Sequence, residues 1–121
     1  EMSRFMLAFK KVFADKGKIS TAIFDEIDSG IGGEVGVCIA SKLAQISKTT
    51  QVIVVTHLAS IGCIAGQHFF ISKSQNKNRT NTVVKELNDN EKIEEIARLA
   101  GGYNGESAKQ FALELKARCC K

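Results

Sequence analysis

The sequence predicts an α/β fold: a layered, mainly parallel sheet flanked by helices, with a C-terminal hairpin and helices. Three observations predict it. Two short apolar, β-branched runs, Ile19 to Phe24 and Gln51 to Thr56, read as strands. Between them lies a stretch with apolar residues at helical spacing, Val35, Cys38, Ile39, Leu43 and Ile46. Strands alternating with helices give parallel neighbours joined by right-handed crossovers.

The elements follow in order. Met2 to about Asp15 carries Phe5, Phe9, Val12 and Phe13 on a wide helical face, and Gly17 ends it. Ile19 to Phe24 is the first strand. Asp28 to Gly33 is a glycine-rich turn, and a helix runs from about Glu34 to Ser47. The second strand contains Val52-Ile53-Val54-Val55, a run expected to be buried on both faces. Leu58 to Ala65 is a short helix. His68 to Lys73 and Thr80 to Leu87 pair as a hairpin across the polar loop Ser74 to Arg79. Asp89 to Ala100 is a helix capped by Asn88 or Asp89 and stopped by Gly101-Gly102. Gly105 to Cys119 is the last helix, burying Phe111, Ala112, and Leu113 or Leu115.

The chain has 121 residues, enough for one small domain with a core. Its net charge of +4 permits contact with nucleic acid or phosphate but does not demand it, because the basic residues are dispersed. Lys73, Lys77 and Arg79 are the nearest thing to a patch, and a solvated loop is the plainer reading of them. No apolar run approaches the ~20 residues of a membrane span. The first residues do not read as a signal peptide, since Glu1, Arg4, Lys10 and Lys11 interrupt them. Cytoplasm is the expected compartment. The four cysteines, Cys38, Cys63, Cys119 and Cys120, include no CxxC pair, which argues against zinc or a disulfide framework. Cys38 and Cys63 are expected in the core.

The chemical signal is the end of the first strand, Thr21-Ala-Ile-Phe-Asp-Glu-Ile-Asp-Ser-Gly-Ile-Gly-Gly33. Carboxylates at the end of a buried strand are costly to desolvate unless they face a cleft, a metal or a partner. Asp25 followed by Glu26 reads as a Mg²⁺ ligand beside a general base that polarises a water. The alternative is a solvated strand end with two surface acids. His57 follows the second strand, in Val55-Thr-His-Leu58. If the strands are parallel neighbours, it stands on the same edge as Asp25 and Glu26. There it either hydrogen-bonds a terminal phosphate, holds the attacking water, or caps the helix that starts at Leu58.

Three other patterns fail. Gly30-Ile-Gly-Gly-Glu-Val-Gly36 lacks the G-x-G-x-x-G spacing, and the next strand does not end in the acid that binds ribose. Gly17-Lys18 lacks the glycine and hydroxyl residue of a phosphate-binding loop, with Val12 and Ile19 in their places. Asn78-Arg79-Thr80 fits a glycosylation sequon, which carries no weight in a cytoplasmic chain. A hydrolysis half-site made only of carboxylates would repel ATP, so the phosphate cradle is expected elsewhere.

Ile-Phe-Asp-Glu-Ile-Asp-Ser-Gly-Ile-Gly-Gly, followed by Val-Ile-Val-Val-Thr-His-Leu-Ala-Ser-Ile, resembles the C-terminal half of an ABC-type ATPase head of the P-loop NTPases. Ile27-Asp28 replaces the Pro-Thr usual in transporters, as in SMC-like chromosome and repair proteins. Ser29-Gly-Ile-Gly-Gly33, His68-Phe-Phe-Ile-Ser-Lys73 and Ile93-Glu-Glu-Ile-Ala-Arg-Leu-Ala-Gly-Gly102 resemble the RecN family of bacterial DNA repair proteins.

The resemblance implies that residues 1–121 are the C-terminal lobe of the head, with Walker B, D-loop and H-loop but no Walker A. It implies Asp25 as the Walker B Mg²⁺ carboxylate, Glu26 as catalytic base and His57 as the switch histidine. Asp28, Ser29 and Gly30 would lie in the D-loop, which reaches across a head-to-head dimer toward nucleotide. Glu1, Ser3 and Arg4 would flank the signature motif. The implied cofactors are ATP and Mg²⁺. The implied partners are the N-terminal ATPase lobe of the same protein, a second head in an ATP-bound homodimer, and DNA double-strand break ends. No membrane is implied, and the location would be cytoplasmic and nucleoid-associated. Alone, this chain is expected not to hydrolyse ATP. Two other readings stand beside this one: a DNA- or partner-docking module without turnover, and a fragment of an ABC transporter ATPase subunit.

Overall fold

The computed structural model describes residues 20–76, 79–102 and 105–119, together with Ala8. The helix expected over residues 2–15 and the residues Glu1, Ser3 and Arg4 lie outside the described residues, as does Lys77. The described elements are β1 (Thr21–Phe24), α1 (Gly33–Ile46), β2 (Gln51–Val54), α2 (Ala59–Gly62), β3 (Phe69–Asn76), β4 (Arg79–Glu86), α3 (Asp89–Leu99) and α4 (Glu106–Cys119). The chain is α/β, with element order and bounds close to those the sequence predicts.

The sheets are smaller than expected. β1 and β2 form a two-stranded parallel sheet, and β3 and β4 form a separate antiparallel one. The described strands therefore do not make one continuous layered sheet. In the parallel pair, Thr21 lies beside Gln51, Ala22 beside Val52, Ile23 beside Ile53 and Phe24 beside Val54. One face is covered: Ala22 and Phe24 are buried. The other is bare, with Ile23 59% and Ile53 45% exposed. The expectation that Val52 to Val55 is buried on both faces is thus corrected. A strand's side chains alternate between faces, and here one layer covers one face.

α1 packs its core stripe of Gly36, Ile39, Ala40, Leu43 and Ile46 inward. Val35 and Cys38, expected on that stripe, are exposed. The stripe turns toward its small residues because α2 comes close. A Cβ on Gly36 would stand 2.8 Å from Ser60 Oγ and 3.2 Å from Leu58 Cδ1. The shared core joins Phe24, Ile27, Ile39, Leu43, Ile61, Cys63, Ile96, Ala112, Leu115 and Cys119. α4 contributes Ala108, Ala112, Leu115 and Cys119, a helical spacing, while Leu113 faces solvent.

The hairpin pairs Phe69 with Glu86 through to Asn76 with Arg79. Most of its large apolar side chains, including Phe69, Ile71, Val83 and Val84, are exposed. It is anchored at its base. Leu87 is buried and its N–H donates to the His68 carbonyl at 2.9 Å. Lys85 pairs with Glu91 of α3. α3 begins with a reciprocal cap: Asn88 Oδ1 accepts from the Glu91 N–H, and Glu91 Oε2 accepts from the Asn88 N–H, both at 3.0 Å. Gly101 and Gly102, at φ 114° and 91°, take the chain out of α3.

Candidate functional site: a carboxylate and histidine strand edge

The site is built by the parallel register of β1 and β2. With Phe24 beside Val54, the two strands end at the same level. The ladder runs one bond further, from the Val55 N–H to the Phe24 carbonyl at 2.9 Å. Asp25 and Glu26 leave the end of β1 and are exposed, and His57 leaves the end of β2 with its side chain 70% exposed. The sequence-predicted edge therefore exists, and both acids and the histidine stand on it.

A tight turn separates what faces solvent from what faces the core. Glu26 adopts φ 54°, the left-handed region, which costs a residue with a Cβ about 1–2 kcal/mol. The turn closes through the Ser29 N–H to the Glu26 carbonyl at 3.2 Å and the Ile31 N–H to the Asp28 carbonyl at 3.1 Å. Its effect is to send Ile27 and Asp28, each 2% exposed, inward. Ser29 and Gly30 return to the surface.

Asp28 is the buried acid of the site. Its Oδ2 accepts from the Thr56 hydroxyl at 2.5 Å and the His57 backbone N–H at 2.7 Å, and lies 3.0 Å from His57 Nδ1. Thr56 Oγ1 in turn accepts from the Leu58 N–H at 3.0 Å. Burial alone would raise the Asp28 carboxyl pKa. The Thr56 hydroxyl, the His57 N–H and the nearby imidazole outweigh it and hold Asp28 below the usual carboxylate range.

His57 does not cap α2. The N-cap is Leu58, with no side-chain cap hydrogen bond, so the third reading of His57 is set aside. Thr56 is the participant that sequence reasoning missed. Its signal was a hydroxyl directly after a buried strand and before a histidine, where a side-chain bond to the neighbouring strand end is in reach.

Among the described residues no group of three or more His, Cys, Asp and Glu is placed to hold a metal ion. Mg²⁺ seldom uses such a cage. It keeps several waters and takes one or two carboxylates plus substrate phosphates. Exposed Asp25 and Glu26 fit that second kind of site.

This edge defines an α/β chain that can place one or two carboxylates and an imidazole against a ligand. No family model matches the chain. Among curated proteins, it is similar to DNA repair protein RecN of Halalkalibacterium halodurans, 41% identical over 116 residues, covering 95% of this chain and 20% of that protein. DNA repair protein RecN of Deinococcus radiodurans is 40% identical over 117 residues, 97% of this chain and 20% of its own length. That of Rickettsia felis is 46% identical over 102 residues, 84% of this chain and 19% of its own. The chain belongs to the RecN family. It spans about a fifth of the length of the curated relatives it matches.

Proposed function

We propose that this chain is the C-terminal lobe of an ABC-type ATPase head in a RecN-like protein of DNA double-strand break repair. Asp25 is the Mg²⁺ carboxylate, Glu26 the general base and His57 the residue that meets the reacting end of the nucleotide. Ser29 and Gly30, exposed on the turn, are the D-loop positions offered to a second head. Asp25 would hold Mg²⁺ together with the nucleotide phosphates, and the ion would supply neutralisation of their charge. Glu26 takes a proton from water, and His57 orients one partner of the reaction.

The observation that carries this reading is the register of the parallel pair, which ends both strands at one level under Asp25, Glu26 and His57. The phosphate cradle is assigned to the N-terminal lobe of the same protein. That lobe would also extend the two-stranded sheet and cover its bare face. The remaining partners are a second head in an ATP-bound homodimer and DNA ends, with action in the cytoplasm at the nucleoid.

The test is ATP turnover with Mg²⁺ by this chain, alone and mixed with the N-terminal lobe. Turnover is expected only in the mixture, and Glu26→Gln should lower kcat by about 10²–10⁴. Folded, associated lobes without turnover would overturn the reading in favour of a docking module.

A further inference from the structure

As a nucleotide-facing residue, His57 could perform either of two tasks: donating to a phosphate oxygen or accepting from a water. The choice depends on which ring nitrogen carries the proton, and the partner of the other nitrogen sets that. Asp28 supplies the partner. Its Oδ2 is 3.0 Å from His57 Nδ1, and the His57 backbone N–H reaches the same oxygen at 2.7 Å. The carboxylate is 2% exposed, and the Thr56 hydroxyl at 2.5 Å restrains it further. An ionised carboxylate presents only lone pairs, so at 3.0 Å it favours an Nδ1 that carries a proton over one that carries a lone pair.

We propose that Asp28 is a positioning residue that holds neutral His57 in the Nδ1–H tautomer, leaving Nε2 on the solvent side as an acceptor. This rests on the reading of His57 as a nucleotide-facing residue. It selects the water over the phosphate as the neutral ring's partner: an acceptor nitrogen takes an O–H, whereas a phosphate oxygen needs a donor. Nε2 becomes a donor only when the ring gains a second proton, with Asp28 then balancing its charge.

The molecule contains its own control. The chain has two histidines. His68 Nε2 lies 2.5 Å from the Gly62 carbonyl, which can only accept, so His68 must be the Nε2–H tautomer. The two rings are assigned opposite protons.

The test is a two-bond ¹H–¹⁵N correlation spectrum of the uniformly labelled chain at alkaline pH. His68→Gln assigns the two patterns. The expected result is a protonated-type Nδ1 in His57 and a protonated-type Nε2 in His68. Nε2–H in His57 overturns the proposal. Asp28→Asn, whose amide is a weaker acceptor, should shift His57 toward Nε2–H and leave His68 unchanged. An unmoved His57 pattern in that folded variant would remove Asp28 as the cause. In the mixed-lobe assay, the same variant should lower kcat about tenfold or more with KM for ATP unchanged. The spectrum needs no nucleotide, so the outcomes separate. Nδ1–H in an assembly without turnover sinks the ATPase reading and keeps the contact. Turnover with Nε2–H does the reverse.

Discussion

Asp28 and His57 tie the turn after β1 to the residue after β2: the carboxylate receives the His57 backbone N–H at 2.7 Å and faces its Nδ1 at 3.0 Å. The bond joins the two strand ends just beyond the ladder. It also fixes the backbone of His57, so the exposed ring departs from a constrained point. The acid that does this lies two residues past the exposed Glu26, and the left-handed backbone at Glu26 lets neighbouring acids face opposite ways.

Removing that carboxylate should be costly. Asp28→Ala leaves the Thr56 hydroxyl and the His57 N–H without their shared acceptor. Unpaired buried polar groups cost about 1–3 kcal/mol each, and because Thr56 is only half-buried and His57 exposed, the two together are expected to cost about 2–4 kcal/mol, the lower part of the summed range. Thr56→Val removes one donor and should cost about 1 kcal/mol. Urea unfolding of the three proteins measures both. Equal midpoints would mean the network does not hold the strand ends.

The same carboxylate predicts an acid dependence. Its folded pKa is held below the ordinary aspartate range by hydrogen bonds that outweigh burial. The folded state therefore holds its proton less tightly than the unfolded chain does. The stabilisation is fully present above the unfolded value and is lost as pH falls through the folded one. Unfolding free energy measured from neutral to acid pH should fall less steeply below about pH 4 in Asp28→Asn than in the parent. Parallel curves would assign the acid limb to other carboxylates.

Much of this was readable from the residues. The order of strands and helices, the capping by Asn88, and the common edge of Asp25, Glu26 and His57 follow from β-branched runs, helical spacing and parallel pairing. The facing of Asp28 did not. A sequence shows three acids within four residues, but which turns inward depends on the φ of Glu26 and on a hydroxyl from a distant strand end. Val35 and Cys38 were misplaced for a related reason. Apolar spacing gives a stripe, but close approach of Ser60 to Gly36 sets which stripe of α1 faces the core. The bare face of β2 was illegible as well, because a run such as Val52 to Val55 does not say how many layers cover it.

Gly36 should therefore resist enlargement. A Cβ there meets Ser60 Oγ at 2.8 Å, and Ser60 is itself buried, so a branched side chain has no room to displace it cheaply. Gly36→Val should destabilise by about 1–3 kcal/mol despite valine's better helix propensity. Thermal unfolding gives the answer, and an unchanged midpoint would mean that α1 and α2 can separate.

The cap of α3 is a smaller, separable contribution. Asn88 Oδ1 satisfies the Glu91 N–H at 3.0 Å, one of the free donors at the helix start. Asn88→Ala should cost about 1 kcal/mol, and Asn88→Asp should preserve most of the stability. Urea midpoints should move with the slope unchanged. Loss of the full amount in Asn88→Asp would point to the Asn88 side-chain amide instead of the cap.

The bare face of the parallel sheet gives the last prediction. Ile23 and Ile53 are cross-strand neighbours, 59% and 45% exposed, and Val55 beside them is 52% exposed. Parallel sheets are covered on both faces in stable domains, and adjoining exposed β-branched residues invite association. Threonine keeps the branched shape and strand preference while adding a hydroxyl. The double change Ile23→Thr and Ile53→Thr should alter the stability of this chain by no more than about 0.5 kcal/mol each, as for other surface positions. It should lower dye binding to apolar surface and reduce self-association in sedimentation. In the mixed-lobe assay the same change should weaken association of the two lobes, because it removes the apolar area the N-terminal lobe is proposed to cover. A stability loss above about 2 kcal/mol in the isolated chain would show that this face is already packed and is not the surface the proposed N-terminal lobe covers.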